Sequence, residues 1–276
     1  MEGIDSSAAS GVIAVIPARY GSTRFPGKLL CPLHGKSILR RVVERVRSVR
    51  GLDGVLVATD DARLAEESRL GGAEAFLTRL EHPTGTDRIG EAVRLLRPRP
   101  SFLLNLQGDE PLFAPAAIER LVVAMRAQPD AIWTLAAPIE DAEEFARTSV
   151  VKVVTAADGR ALYFSRAPVP HHRGTGPSAG RRLLAHRHVG VYGYPWELLE
   201  EFLRTPPGRL EEIEGLEQLR ALEHGLSIRV MVGAWPDAGV DTPEDLQRLL
   251  EKYPTPEMIE RAGLELDRPS DTNGLG

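Results

Sequence analysis

The fold is decided by residues 12–28, which read Val12-Ile13-Ala14-Val15-Ile16-Pro17-Ala18-Arg19-Tyr20-Gly21-Ser22-Thr23-Arg24-Phe25-Pro26-Gly27-Lys28. The apolar run at residues 12–16 is typical of a buried first strand. Ser37 precedes a segment with helical spacing of apolar residues, and serine is a favoured N-cap, so we predict a helix after it. Residues 17–28 therefore form a strand-to-helix loop.

This loop has the composition of a phosphate-binding loop. Its glycines allow a ligand to approach backbone N–H groups, and its two arginines and one lysine suit phosphate oxygens. It is not a P-loop, because five residues separate Gly21 from Gly27 and no Ser or Thr follows Lys28. It also lacks the Gly-x-Gly-x-x-Gly pattern of dinucleotide-binding turns. Since ligands bind at the carboxyl ends of strands in α/β sheets, a triphosphate site is favoured over a solvated basic loop.

Composition indicates a soluble, globular chain of 276 residues with 42% hydrophobic residues and a net charge of −5. No apolar run approaches the ~20 residues that span a bilayer, and the first residues lack the features of a signal peptide. The negative charge argues against a nucleic-acid partner. Cys31 is the only cysteine, which excludes an intrachain disulfide and fits a reducing cytoplasm.

Strand and helix patterns alternate along the chain, which predicts an α/β fold with a largely parallel, doubly wound sheet. Strands are predicted at residues 12–16, 55–59, 74–78, 102–106, 131–137, 150–155, 161–166, 188–194 and 227–232. Helices are predicted from Ser37 and at residues 61–70, 86–96, 115–127, 195–204, 213–223 and 243–251. A loop is predicted at residues 173–182, and disorder at residues 1–10 and 270–276.

Two acidic clusters are candidate metal ligands. Asp109 follows the strand at residues 102–106 and is placed to reach a magnesium ion that bridges phosphates, although the composition also fits a turn. Glu110 is expected to make a structural hydrogen bond. Asp241 is either a second magnesium carboxylate or, with Thr242, a cap for the following helix, and the residues alone leave both interpretations open.

Two further clusters are candidate ligand sites. Residues 78–88 place hydroxyls and backbone N–H groups at a helix N-terminus, which suits an anion or a base edge but also fits an ordinary cap. Arg166 has the chemistry to bind a carboxylate, and His188 and Gln218 have the chemistry to bind sugar hydroxyls. Taken singly, each of these three residues is more often structural.

Taken together and in this order, the motifs resemble the 3-deoxy-manno-octulosonate (Kdo) cytidylyltransferase, or CMP-Kdo synthetase, family. The resemblance covers residues 12–250 and rests on residues 17–28, 57–60, 85–88, 107–111, 161–166, 190–194, 216–222 and 240–245. The first loop alone suggests the wider group of sugar cytidylyltransferases. The segments 107–111, 162–166 and 216–220 are the more specific signals for Kdo.

The resemblance implies a nucleotide-diphospho-sugar transferase-like three-layer fold with a mainly parallel mixed sheet. It implies one cytidylyltransferase domain at residues 11–253, with terminal extensions at residues 1–10 and 254–276. The implied reaction joins CTP and Kdo to give CMP-Kdo and pyrophosphate, with Mg²⁺, in the cytoplasm, for lipopolysaccharide synthesis. A homodimer is implied, with no nucleic-acid or membrane partner.

The matching motifs also imply site residues. The catalytic residues are Arg19, Lys28, Asp109 and Asp241, of which Asp109 and Asp241 hold the metal. The nucleotide-binding residues are Ala18, Arg19, Ser22, Thr23, Arg24, Lys28, Thr78, Arg79, Thr84, Gly85 and Gln107. The substrate-binding residues are Arg166, His188, Tyr192, Glu217 and Gln218.

Several alternatives stay open at this point. Residues 171–187 fall in a variable region, so the sugar acid is Kdo or another 2-keto acid sugar such as 8-amino-Kdo or a sialic acid. A non-catalytic nucleotide-binding protein is an alternative of a second class. Loss of Asp109 or Lys28 would favour it, and this chain has both residues. A glycosyltransferase on the same fold is a third, and it normally has an Asp-x-Asp metal site where this chain has Gln107-Gly108-Asp109.

Overall fold

A single mixed sheet organises the part of the chain that the computed structural model describes, which is residues 11–265 except 83, 140, 172, 174–184, 234 and 237–238. The strands are β1 Val12–Ala18, β2 Pro32–Leu33, β3 Lys36–Ser37, β4 Gly54–Thr59, β5 Glu74–Leu77, β6 Phe102–Asn105, β7 Ile132–Pro138, β8 Lys152–Thr155, β9 Ala161–Ser165, β10 His186–Pro195 and β11 Ile228–Val232. The helices are α1 Ile38–Arg47, α2 Ala62–Leu70, α3 Gly85–Val93, α4 Pro115–Ala127, α5 Ala142–Ala146, α6 Trp196–Arg204, α7 Arg209–Glu214, α8 Gln218–Glu223, α9 Pro243–Lys252 and α10 Pro256–Glu265.

The main path of the sheet runs β11-β7-β10-β6-β1-β4-β5. Neighbouring strands are parallel except where β10 pairs antiparallel with β6 and with β7. Strand β8 pairs with both β10 and β9, and β2 and β3 form a small separate hairpin. The predicted mainly parallel mixed sheet is therefore confirmed.

Helices cover both faces of the sheet, which gives the predicted three layers. On one face, α1, α4, α9 and α10 pack against the side of β1 that carries Val12, Ala14 and Ile16. On the other face, α3, α6 and α8 pack against the side that carries Ile13 and Val15. This alternation follows from the two-residue period of a strand, and a strand buried on both faces has the continuous apolar run seen at residues 12–16.

The helix starts confirm the capping signals in the sequence. Ser37 Oγ accepts a hydrogen bond from Arg40 N at 3.1 Å at the start of α1. Thr242 caps α9 in a capping box with Asp245. Because the Thr242 hydroxyl accepts from Asp245 N in the first turn of α9, Asp241 is not needed as a cap and its carboxylate is available for other contacts.

One helix prediction is wrong. Residues 213–223 do not form a single helix, because α7 ends at Glu214 and α8 begins at Gln218. Gly215 ends α7 with a φ of 63°, in the left-handed region that glycine adopts without strain. The apolar spacing of the segment continues across this break, so periodicity alone did not reveal it.

The packed structure continues past residue 253, where the sequence places the end of the domain. Helix α10 buries Ile259, which is 1% exposed, and Arg45 Nη2 donates to the carbonyl oxygen of Ile259 at 2.8 Å. The predicted disorder at residues 1–10 and 270–276, and the predicted loop beyond Arg173, lie outside the described residues. Among the described helices, none has the length and apolar character needed to cross a membrane.

Candidate active site

A polar cavity of about 380 Å³ lies at the carboxyl ends of β1 and β6. The loop after β1, the start of α3, the loop after β6 and the segment before α9 all contribute to its walls. The predicted nucleotide-binding and catalytic residues in these walls are Ala18, Arg19, Ser22, Thr23, Arg24, Lys28, Thr84, Gly85, Gln107, Asp109 and Asp241. The structure thus brings four segments that are distant in sequence to one edge of the sheet.

The loop after β1 turns back on itself at Gly27. This residue has a φ of 72°, and a Cβ atom there would lie 3.0 Å from the ring of Tyr20, so both backbone conformation and space favour glycine. Gly27 N donates to the carbonyl oxygen of Tyr20 at 3.0 Å and closes the turn. Lys28 then begins a short 3-10 turn with its side chain mostly buried at the floor of the cavity.

A cation lies between two carboxylates at this floor. Lys28 Nζ donates to Asp109 Oδ2 at 2.5 Å and to Asp241 Oδ1 at 2.9 Å. Arg24 Nη2 donates to the other oxygen of Asp241 at 3.0 Å. Burial lowers the pKa of Lys28, but the charges and hydrogen bonds of the two carboxylates outweigh burial, so the pKa is raised above its ordinary value. Lys28 is therefore a fixed positive charge at neutral pH.

The opposite wall is built on a buried ion pair. Arg88 Nη2 lies 2.9 Å from Asp60 Oδ2, and the two side chains are only 4% and 5% exposed. Asp60 Oδ1 also accepts from Tyr20 N at 3.2 Å, which ties the loop after β1 to this wall. His82 lines the same cavity and its Nε2 lies 2.5 Å from Glu91 Oε2. Arg88 and His82 were not among the predicted site residues, although the motif at residues 82–88 contains both.

Thr78 and Arg79 do not line the cavity. The Thr78 hydroxyl accepts from Arg88 Nη1 at 2.5 Å and donates to the carbonyl oxygen of Thr59. Arg79 is exposed and contacts Glu91 through its backbone N–H and its guanidinium. Both residues support the wall from behind, so their predicted contact with the nucleotide remains a prediction.

A second cavity of about 250 Å³ adjoins the first and shares Gly85, Gln107 and Glu217 with it. It contains four of the predicted substrate-binding residues, which are His188, Tyr192, Glu217 and Gln218. Strand β10 reaches this cavity at a bulge between Val189 and Tyr192, where Gln107 Nε2 donates to the carbonyl oxygen of Gly190 at 2.9 Å. The break between α7 and α8 closes the other side.

Burial disfavours the charged forms of the ionisable groups in the second cavity. Burial, with the nearby charge of Arg187, lowers the pKa of His188 to about 3, and its Nε2 lies 3.0 Å from Thr134 Oγ1. Burial raises the pKa of Glu217, against a hydrogen bond from the Thr86 hydroxyl that lowers it. Burial likewise raises the pKa of Tyr192. The cavity therefore presents hydrogen-bonding side chains, and burial acts against charge on each of these three groups.

Arg166 lies outside both cavities. Its backbone N–H donates to Glu214 Oε2 at 2.9 Å, and its Nε donates to the carbonyl oxygen of Glu214 at 3.0 Å. Ser165 Oγ donates to the same carboxylate at 2.6 Å. These contacts anchor the end of β9 to α7, and the predicted clamp of Arg166 on a sugar carboxylate stays a prediction.

Several residues of the second cavity were not among the predicted site residues, and the polar side chains among them are Thr86, Asn105 and Tyr194. Thr86 and Tyr194 lie inside matching segments, at residues 85–88 and 190–194. Asn105 carries a weaker signal, since it is a polar residue in the apolar run of β6.

Comparison with known proteins gives consistent matches. A model of the cytidylyltransferase family matches residues 13–228. The 3-deoxy-manno-octulosonate cytidylyltransferase of Anaeromyxobacter sp. (strain Fw109-5) is 55% identical over 237 residues, which cover 86% of this chain and 94% of that protein. The protein of the same name from Anaeromyxobacter dehalogenans (strain 2CP-C) is 54% identical over 237 residues, covering 86% and 95%.

A solved structure extends this likeness to three dimensions. The structure is of a CMP:2-keto-3-deoxy-manno-octonic acid synthetase complexed with CTP, and it has a TM-score of 0.80 and 39% sequence identity to this chain. The match covers 88% of this chain and 98% of that one. The predicted family resemblance and fold are confirmed. On the family model and these relatives, this chain belongs to the 3-deoxy-manno-octulosonate cytidylyltransferase family.

Proposed function

We propose that this protein transfers CMP from CTP to Kdo and releases pyrophosphate, supplying CMP-Kdo for lipopolysaccharide synthesis. The observation that carries the proposal is the pair of joined cavities. One is lined by the cationic loop after β1 and two carboxylates, and the other by hydrogen-bonding side chains. A triphosphate suits the first and a polyhydroxylated sugar acid suits the second. The shared wall is where the two substrates would meet.

In this proposal the loop after β1 binds the triphosphate. Arg19, Arg24 and Lys28 supply positive charge, and Ser22 and Thr23 supply hydroxyl donors. Lys28 and Arg19 stabilise the charge that develops on the departing pyrophosphate. Thr84 and Gly85 at the N-terminus of α3 lie on the opposite wall, where backbone N–H groups suit the polar edge of a base.

Asp109 and Asp241 are suited to hold Mg²⁺. Lys28 Nζ bonds both carboxylates, so they lie close enough to serve one cation. Magnesium in nucleotide sites usually takes one or two protein carboxylates and completes its octahedral shell with phosphate oxygens and water. When bound there, the ion would neutralise phosphate charge and lower the pKa of the attacking hydroxyl.

The second cavity orients the sugar acid. His188, Tyr192, Glu217 and Gln218 surround it, and we propose that they bind the sugar as the family resemblance implies. The anomeric oxygen attacks the α-phosphorus of CTP while the bond to the pyrophosphate oxygen breaks, and the hydroxyl proton passes to solvent. Positioning the two substrates accounts for much of the rate enhancement in such a transfer.

The proposal also includes the cellular setting. We propose a cytoplasmic homodimer that binds neither nucleic acid nor membranes. The negative net charge supports the absence of a nucleic-acid partner, and the single cysteine fits a reducing compartment. Size-exclusion chromatography with light scattering would measure the oligomeric state directly.

The test is pyrophosphate release from CTP and magnesium with Kdo, 8-amino-Kdo and N-acetylneuraminate, each supplied separately. We expect release with Kdo, and none in the Asp109→Asn variant, which keeps the shape of the side chain but not its charge. Release with another sugar acid alone would keep the transfer reaction and reassign the sugar. A folded protein that binds CTP but releases no pyrophosphate with any acid would contradict the proposal.

A further inference from the structure

Asn105 is a buried polar residue in an apolar strand. It is 4% exposed and lies in β6 between β1 and β10, in register with Val15 on one side and Tyr192 on the other. Leu103, two residues earlier on the same face, packs into the apolar cluster of that side of the sheet. The pattern of β6 therefore predicts an apolar side chain at position 105, and the amide needs an explanation.

The amide oxygen of Asn105 has no partner within the described structure. Asn105 Oδ1 is fully buried, and no donor among the described residues lies within hydrogen-bonding distance of it. An unsatisfied buried acceptor costs about 1–3 kcal/mol, which is large against the stability of a whole domain. A donor on a bound ligand would satisfy this oxygen, and Asn105 is one of the residues that line the second cavity.

The chemistry of this oxygen restricts its ligand. An amide oxygen accepts hydrogen bonds and cannot bind a carboxylate, which also only accepts. The oxygen calls for a donor, and in a sugar acid the donors are the hydroxyls.

We infer that Asn105 is a specificity-determining residue of the second cavity and accepts a hydrogen bond from a ring hydroxyl of the sugar acid. The inference rests on the proposed function, and it assigns to the sugar a contact that the family motifs did not supply. A sugar that lacks the matching hydroxyl would leave Oδ1 buried without a partner and would bind more weakly.

The first test replaces Asn105 with leucine, which has the same number and branching of side-chain heavy atoms and no polar atom. We expect the KM for Kdo to rise about 10-fold or more, because the substrate hydroxyl then lacks its partner. The KM for CTP should stay within about 2-fold of the wild-type value, since Asn105 does not line the first cavity. An unchanged KM for Kdo, or an equal rise in both KM values, would overturn the inference.

The second readout is the stability of the ligand-free protein, which does not depend on activity. We expect Asn105→Leu to unfold at the same temperature as the wild type or higher, because it removes an unsatisfied acceptor. Ser165→Ala is the control, since Ser165 is buried, lies outside both cavities and donates to Glu214 Oε1 at 2.6 Å. That variant should lose stability, because it removes a satisfied hydrogen bond. A loss for Asn105→Leu as large as that for Ser165→Ala would assign Asn105 a structural role and overturn the inference.

Mono-deoxy analogues of Kdo identify the hydroxyl. We expect one analogue to bind the wild type poorly and to show no further loss in Asn105→Leu, because the two changes remove the same hydrogen bond. Asn105→Ser provides a second variant if leucine prevents folding. A wild-type protein inactive on every sugar acid would overturn the proposed function and this inference together, whereas an active wild type with unaltered variants would overturn the inference alone.

Discussion

Lys28 joins the two carboxylates that the proposed chemistry needs. Its ammonium lies 2.5 Å from Asp109 Oδ2 and 2.9 Å from Asp241 Oδ1, although the two acids are far apart in sequence. Two negative charges held this close repel each other unless a cation lies between them. Lys28 therefore organises the floor of the first cavity before any substrate binds.

Replacement of Lys28 by alanine should lower kcat by about 100-fold or more, because a charge aimed at the departing pyrophosphate is lost. The magnesium-free protein should also unfold at a lower temperature, because the two carboxylates lose their counter-ion, and added magnesium should restore part of that loss. Lys36→Ala is the control, since Lys36 pairs with Glu44 away from both cavities. Turnover unchanged in Lys28→Ala would remove Lys28 from the mechanism.

Glu217 makes a separate prediction about pH. Its pKa is raised above the ordinary 4.5 by burial, so the unfolded chain ionises this group at lower pH than the folded protein does. The stability of the wild type therefore falls as pH rises from about 4.5 to the raised pKa. We expect Glu217→Gln to be stabilised relative to the wild type at about pH 7.5 and to lose that advantage at about pH 4. Thermal unfolding of both proteins at both pH values measures their difference in stability. A difference that does not change with pH would contradict a raised pKa of Glu217.

At the scale of elements, the sequence was most informative where local rules act alone. The strand at residues 12–16, the Ser37 cap and the helix at residues 115–127 were predicted, because apolar period and capping chemistry are local properties. The break at Gly215 was missed because the apolar spacing runs across it. The contacts of Arg166 with Glu214 depend on tertiary packing between β9 and α7, and no spacing in the sequence encodes them.

The buried pair of Arg88 and Asp60 links the end of β4 to the start of α3. Arg88 also donates to the carbonyl oxygens of Arg79 and Leu80, so one side chain holds the whole wall. Arg88→Met should cost about 3–5 kcal/mol in the free energy of unfolding, because Asp60 is left buried without its partner. Arg50→Met is the matched control, because Arg50 pairs with Glu119 but its side chain is exposed. This substitution should cost about 1 kcal/mol or less in the free energy of unfolding. Equal losses in urea unfolding would contradict this account.

At the scale of the whole molecule, the site depends on how the sheet is assembled. Parallel strands β1 and β6 bring the loop after β1 and Asp109 to one edge, and the antiparallel strand β10 brings His188 and Tyr192 beside them. The carboxyl-edge position of the first cavity was predictable from the α/β pattern. Residues of the second cavity were predicted only through the family resemblance, because its position depends on the reversed strand β10 and its bulge, which no local pattern in the sequence predicts.

Helix α10 is expected to be part of the folded unit. Ile259 is 1% exposed and packs into the cluster that contains α1 and α4, so Ile259→Ala should cost about 2–5 kcal/mol in the free energy of unfolding. Met258→Ala is the control, because Met258 is 43% exposed, and it should have little effect. Denaturant titration of both variants decides whether the domain ends near residue 253 or includes α10. Similar stabilities would support the shorter domain.

The central claim is that the anomeric oxygen of Kdo becomes bonded to the α-phosphorus of CTP. The most direct measurement is NMR of the reaction of CTP with Kdo that is isotopically labelled at its anomeric carbon, with magnesium present. We expect the labelled carbon signal to be split by coupling to one phosphorus, in step with release of one pyrophosphate for each product formed. Consumption of CTP with an unsplit sugar signal would show hydrolysis or another reaction and would contradict the claim.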